Sequence, residues 1–81
     1  MCKYKIKLSH IKDVEKLSQL SNKYNATITL DDKNFILENC KSIMRILGVH
    51  IQEPVVAELV GEYPKEATEE IKAFLVSVSV A

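Results

Sequence analysis

The feature that most constrains this chain is a change of hydrophobic period, which occurs twice within 81 residues. From Cys2 to Leu8, apolar residues alternate with lysines, and this period of two is typical of a half-buried strand. The period then becomes three to four, which predicts an amphipathic helix near residues 11–24. Its apolar positions are Ile11, Val14, Leu17, Leu20 and Tyr24.

The second change lies between Gly61 and Glu66. A strand-like run over residues 55–60 stops at Gly61, and an apolar stripe at helical spacing then predicts a helix near residues 65–75. Between the two changes we expect strands at 26–30 and 35–37, a turn at 31–34, a short helix at 43–47 ended by Gly48, and a loop at 49–53. The predicted order is βαββαβα.

Helices with one apolar stripe, beside strands that alternate, predict a single α+β domain over residues 1–81. We expect an open-faced β-sandwich in which a four-stranded antiparallel sheet carries three helices on one face. The other face would present lysines and threonines to water, at Lys3, Lys5, Lys7, Thr27 and Thr29.

The composition excludes several classes of protein. Eleven basic and eleven acidic side chains cancel, so no basic field for nucleic acid exists. Cys2 and Cys40 lie far apart, outside metal-site spacing, which argues against a zinc site or a disulfide framework. No stretch of the sequence has the pattern of a signal peptide or of a membrane-spanning segment. We therefore expect a soluble, cytoplasmic protein with no membrane insertion, no metal and no cofactor.

Ser42 stands where a strand pattern stops and helical spacing begins, which predicts an N-cap for the short helix. The run Lys41-Ser42-Ile43-Met44 resembles the Lys-Ser-Ile-Met signature of HPr, the phosphocarrier of the bacterial sugar phosphotransferase system. Length, element order and hydrophobic register are similar to that family over residues 3 to 76. The resemblance implies a regulatory phosphosite at Ser42 and a partner-docking patch of Ile43, Met44 and Leu47.

The family's other motif, Gly-Leu-His-Ala-Arg-Pro-Ala, carries the phosphoryl group on its histidine. Matching Lys16-Leu17 to the Lys-Leu that often follows this motif implies His10 as phosphoryl acceptor, with Lys12 at the arginine and Asp13 at the proline. Leu8 and Ser9 replace the glycine and leucine, so the resemblance implies a degraded site and, at most, a phosphocarrier rather than a true enzyme.

The residues themselves oppose phosphoryl transfer at His10. Asp13 and Glu15 are expected in the first helical turn, where they would occupy the positive field that a phosphate needs. A carboxylate about 6 Å from the phosphate costs about 2–3 kcal/mol per unit charge at an effective dielectric of ~20. Lys12 supplies one point charge against these two acids.

Three interpretations stay open at this point. The chain is an HPr-like docking protein with residual or lost phosphoryl transfer, a purely regulatory protein-binding module without a phosphohistidine, or a ferredoxin-like ligand-binding domain. The last expects a glycine-containing loop after the first strand, and residues 8–11 contain no glycine. Expected partners are phosphotransferase-system proteins or a regulatory protein. His50 is expected to be an ordinary loop residue, and Arg45 to reshape the docking patch.

Overall fold

A computed structural model describes residues 2–31, 36–37, 40–47 and 53–80 of the chain. The elements follow the sequence in the order β, α, β, β, α, β, α. They are β1 (Cys2–Ile6), α1 (Ile11–Lys23), β2 (Thr27–Asp31), β3 (Ile36–Leu37), α2 (Ile43–Leu47), β4 (Val55–Val60) and α3 (Lys65–Ser77).

The sheet has the strand order β1-β4-β2-β3, and each neighbouring pair is antiparallel. β1, β4 and β2, each of five or six residues, form its main part, and the two-residue β3 pairs at the edge of β2. The predicted α+β class and the antiparallel pairing are confirmed. The predicted Gly48 cap, the 49–52 part of the loop and His50 lie outside the described residues.

One face of the sheet is buried and the other is open, as the alternation predicts. In β2, Ile28 and Leu30 are fully buried, whereas Thr27 and Thr29 are half-buried. On the open face Lys3 lies opposite Glu58, with Thr29 on the far side of the same row. A lysine and a glutamate on opposing strands complement each other in charge.

The core lies between the buried sheet face and the helices. It combines strand residues with α1, α2 and α3 residues, among them Ile6, Ile28, Leu30, Val55, Val14, Leu17, Leu20, Ile46, Ile71 and Leu75. The expected place of Ile11 in the buried stripe of α1 is wrong, because its side chain is 53% exposed. Ile11 is the first residue of the helix, beyond the part that packs on the sheet.

Element boundaries shift by one or two residues from the prediction. β1 ends at Ile6, although Leu8 is buried, and α3 continues to Ser77 rather than to residue 75. β2 runs from Thr27 to Asp31, one residue later than expected. Each shift lies at an end of an element, where the hydrophobic period carries least information.

Tyr63 ties the end of β4 to the start of β2. Its hydroxyl donates to the Val60 carbonyl at 2.7 Å and accepts from the Thr27 N–H at 2.8 Å. The chain reaches it through Gly61, whose φ of +105° disfavours any side chain. A Cβ at Gly61 would also lie 3.3 Å from the Tyr63 hydroxyl. The Tyr63 hydroxyl and Gly61 together hold the chain that leaves β4 against the start of β2.

Glu70 of α3 joins that helix to the end of α1. Its Oε1 accepts hydrogen bonds from the Tyr24 hydroxyl and, at 3.1 Å, from the Lys23 ammonium. The sequence places Glu70 only as an acid near the start of a helix, and only the packed structure brings it to α1. The hydrogen bonds from Tyr24 and Lys23 lower the pKa of the Glu70 carboxyl below its ordinary value.

Because the folded-state pKa of Glu70 is depressed, its contribution to stability is present above the ordinary carboxyl pKa and is lost as the pH falls through the folded value. We expect Glu70→Gln to lower the urea midpoint at pH 7 more than at pH 3. Glu69→Gln is the matched control, since Glu69 makes only an exposed pair with Lys65 at 3.8 Å. An equal decrease of the urea midpoint in both variants at both pH values would show that the Glu70 contacts with α1 do not stabilise the fold.

Candidate functional site

His10 is exposed and stands at the junction between β1 and α1. Its backbone is extended, with φ −130° and ψ 151°, as is usual for the residue that precedes a helix. Its carbonyl accepts the Asp13 N–H at 2.9 Å and the Val14 N–H at 3.4 Å, so the helix starts from His10 itself. The predicted position of His10 at a strand-to-helix junction is confirmed.

Asp13 occupies the positive end of α1. Its Oδ2 accepts the backbone N–H of His10 at 3.3 Å, which places a carboxylate beside the histidine. The predicted position of Asp13 in the first turn of α1 is therefore confirmed. The matching expectation for Glu15 is wrong, because α1 begins at Ile11 and the fifth helical residue lies beyond a first turn of about 3.6 residues.

A shallow groove of about 390 Å³ runs past His10. Its walls are Lys7, Ser9, His10, Asp13 and residues 77–80. Lys12, which the resemblance places beside the histidine, is exposed and is not one of these lining residues. The lysine among the lining residues is Lys7, which follows β1.

The segment after α3 reaches this groove by pairing with β1. The Lys7 N–H donates to the Val78 carbonyl at 3.0 Å, and the Val80 N–H donates to the Lys5 carbonyl at 2.8 Å. Ile6 and Ser79 form the corresponding antiparallel bridge. Sequence reasoning missed this wall, because nothing local connects residues about 70 positions apart. An edge strand with unpaired backbone groups is the signal that could have suggested it.

Ser42 caps α2, as predicted. Its Oγ accepts the Arg45 N–H at 3.4 Å, and its carbonyl accepts the Ile46 N–H at 3.1 Å. The side chain is half-buried, and the neighbouring Arg45 is exposed. The hydroxyl therefore lies close to the surface, beside a guanidinium-bearing residue.

The docking patch inferred from the resemblance is described only in part. Ile43 is 37% exposed, whereas Ile46 is fully buried in the core. The side chains of Met44 and Leu47 lie outside the described part of the structure. Ile11, at 53% exposure, supplies a second apolar side chain on α1, which packs against α2. We call Ile11 and Ile43 the exposed pair.

Ser42 and His10 lie beside different parts of α1. The carbonyl of Lys41, one residue before Ser42, is bound by side chains of Ser18 and Asn22. These residues stand 8 and 12 positions after His10, or about 12–18 Å along a helix axis. The structure therefore does not bring the two sequence-predicted sites together.

Other chemistry is sparse in the described ranges. They hold no cluster of three or more metal-ligating side chains, and none of their helices is long and apolar enough to cross a membrane. Cys40 is buried in the core, and desolvation raises the pKa of its thiol to about 12. A thiol protonated at neutral pH is a poor nucleophile, so Cys40 is a packing residue.

The fold is similar to solved structures of phosphocarrier proteins and a relative. HPr-C-His from Thermoanaerobacter tengcongensis superposes with a TM-score of 0.69 at 22% identity, over 93% of this chain and 89% of that one. The phosphocarrier protein HPr from Bacillus anthracis str. Ames gives 0.64 at 22% identity, over 90% and 92%.

Crh from Bacillus subtilis, a catabolite repression containing protein whose crystal structure is a swapped dimer, gives a TM-score of 0.60 at 23% identity, over 95% of this chain and 88% of that one. No family model and no curated protein matches the chain. The structural likenesses show an HPr-like fold.

The Ser42 cap yields a stability prediction that is independent of regulation. Ser42→Ala removes the acceptor for the Arg45 N–H and should reduce the free energy of unfolding by about 0.5–2 kcal/mol. Ser42→Asp keeps an acceptor at the same place and should recover most of that loss. Urea denaturation measures both, and equal stability of all three proteins would show that the cap contributes nothing.

Proposed function

We propose that this protein is an HPr-like docking protein of a bacterial phosphotransferase-type system, which binds a protein partner in the cytoplasm and transfers phosphoryl groups at His10 poorly. The HPr-like fold and the surface position of His10 support a phosphocarrier-type ancestry. The exposed pair leaves two apolar side chains for a docked partner to cover, on two helices that pack against each other. The short elements β3 and α2 complete the proposed fold of four strands and three helices.

The observation that carries the proposal is the Asp13 carboxylate at the backbone N–H of His10. A phosphoryl group on a histidine at a helix N-terminus is stabilised by free backbone amides and by the positive end of the helix. Here the amide of His10 is already bound, and the carboxylate that binds it repels a phosphoryl dianion. Lys7 in the groove and Lys12 nearby offset part of that repulsion as point charges.

The same observation favours a second candidate, a purely regulatory binding module with no transfer at His10. In that case the groove has only a structural role, and the exposed pair with Ser42 performs the whole function. The two candidates differ in one measurable quantity, the phosphate that His10 accepts.

Incubation with phosphoenolpyruvate and the general phosphotransferase enzyme should give little acid-labile phosphate on the unmodified chain. Asp13→Asn keeps an acceptor for the His10 N–H but removes the charge, so it should raise labelling at least severalfold. We prefer asparagine to the proline of the phosphocarrier motif, because proline would remove the Asp13 N–H that bonds the His10 carbonyl.

Two controls make this labelling experiment decisive. Glu15→Gln removes a charge of the same sign two residues further into α1, beyond its first turn, and it should change labelling less. His10→Ala should abolish whatever label Asp13→Asn acquires. Efficient labelling of the unmodified chain contradicts low transfer, and no labelling of Asp13→Asn selects the regulatory module.

For Ser42 we propose regulation by phosphorylation. A kinase transfers the γ-phosphoryl group of ATP to the Ser42 oxygen, with release of ADP and a proton. The product places nearly two negative charges at the start of α2, beside the exposed Arg45 and the apolar Ile43. The helix keeps its cap, and an apolar or acidic partner surface is repelled while a basic one is attracted.

A host kinase with ATP should phosphorylate the folded protein at Ser42 and change its partner affinity without unfolding it. Ser42→Ala is the control for phosphate incorporation, and Ser42→Asp imitates the product with a smaller charge. Equal incorporation into the unmodified protein and Ser42→Ala, or none in either, would leave Ser42 as a helix cap alone.

A further inference from the structure

We propose that Ser18 and Asn22 are positioning residues that fix α2, and therefore Ser42 and Ile43, at a set place on α1. That this positioning affects partner docking and the access of a kinase to Ser42 rests on the proposed function. The positioning itself does not, because it follows from contacts that exist in the protein without a partner or a phosphate.

Both side chains converge on one backbone atom. The Ser18 hydroxyl donates to the Lys41 carbonyl at 2.8 Å, and the Asn22 amide donates to the same oxygen at 3.0 Å. The two residues are four positions apart in α1, so they lie one above the other on one helix face. We call these two donors and the Lys41 carbonyl the clamp.

The Asn22 amide is itself oriented within α1. It also donates to the Ser18 carbonyl at 2.9 Å, and it lies 3.4 Å from the Ser18 hydroxyl. Ser18 is 7% exposed, so its hydroxyl is withdrawn from water and depends on the Lys41 carbonyl for a partner outside its own helix. The clamp therefore combines a part-buried hydrogen bond from Ser18 with an exposed one from Asn22.

The carbonyl of Lys41 shares a rigid peptide plane with the nitrogen of Ser42. Holding that oxygen at two points therefore orients the plane from which Ser42 enters α2. The side chain of Lys41 adds a third tie, since its ammonium bonds the Asn25 side chain in the turn after α1. The residue before Ser42 is thus fastened at its backbone and at its side chain.

α2 needs this external support because it has only five residues. A helix this short has no stability of its own in water, since nucleation is not offset by enough helical hydrogen bonds. Its described anchors are the buried Ile46, the Ser42 cap and the clamp. Of these, only the clamp links the start of α2 to α1 by hydrogen bonds.

A partner that covers the exposed pair must contact α1 and α2 together. Its affinity then depends on the spacing of the two helices, because a preorganised surface loses less conformational freedom on binding. The clamp sets that spacing at the end of α2 where Ser42 would be modified. Ser18 and Asn22 therefore act on the site through Lys41, without belonging to the contact surface.

The test uses single substitutions of α1 in the full chain. Ser18→Ala removes one donor, and Asn22→Asp removes the other while it keeps the side-chain shape. Ser21→Ala is the matched control, since the Ser21 hydroxyl is buried in the same helix but donates only within it, to the Leu17 carbonyl at 3.0 Å. Ser18→Thr keeps a hydroxyl and serves as the rescue variant.

Amide hydrogen exchange, measured residue by residue, gives the direct readout. The Arg45 and Ile46 amides should exchange about tenfold faster in Ser18→Ala and Asn22→Asp, because local opening of α2 loses a hydrogen bond that opposed it. The amides in the hydrogen bonds between β2 and β4 report any change in global stability. The exchange rates of the Arg45 and Ile46 amides are compared with the rates of these reference amides. Ser18→Thr should restore slow exchange.

The proposal is overturned if Arg45 and Ile46 exchange as slowly in both variants as in the unmodified chain. It is also overturned if Ser21→Ala accelerates them equally, or if all amides accelerate together. Kinase labelling of Ser42 is a separate readout, expected to show a raised KM in Asn22→Asp. Absence of labelling in the unmodified chain would refute the regulatory proposal while the exchange data still decide the clamp.

Discussion

The position of β4 between β1 and β2 determines how the other elements are arranged. This late strand pairs antiparallel with both earlier ones, so its Val55, Ala57 and Leu59 side chains form the middle of the buried sheet face. α1, which connects β1 to β2, must then cross over β4 on that face. The outer edge of β1 is left to the segment after α3, which is why that segment lies beside His10.

The two halves of α1 make different polar contacts. At the start of the helix, the carboxylate of Asp13 accepts the backbone N–H of His10 and places a negative charge at the positive end of the dipole. Beside its second half, polar side chains hold the chain that leads to Ser42. These two features of α1 are the basis of the proposal of docking and regulation with little phosphoryl transfer.

Sequence reasoning succeeded where a local pattern has one physical solution. Alternation identified the buried Ile28 and Leu30, and the position of Ser42 before an apolar spacing identified an N-cap. It failed for Ile11, because periodicity assigns a residue to a helix face but does not show where packing against the sheet ends. Glu15 was misplaced although α1 begins at the predicted residue, because it is the fifth helical residue and a first turn holds only about 3.6.

Local patterns were enough to predict the α+β class, the half-buried strands, the cap at Ser42 and the place of Asp13 near His10, because each depends on residues within one turn or one strand of each other. Which distant groups meet is seen only in the packed structure. The Glu70 contacts with α1, the 77–80 wall of the groove and the clamp on Lys41 each join segments at least 19 residues apart. Such contacts arise when packing of the core brings polar groups together, and no local period encodes that meeting.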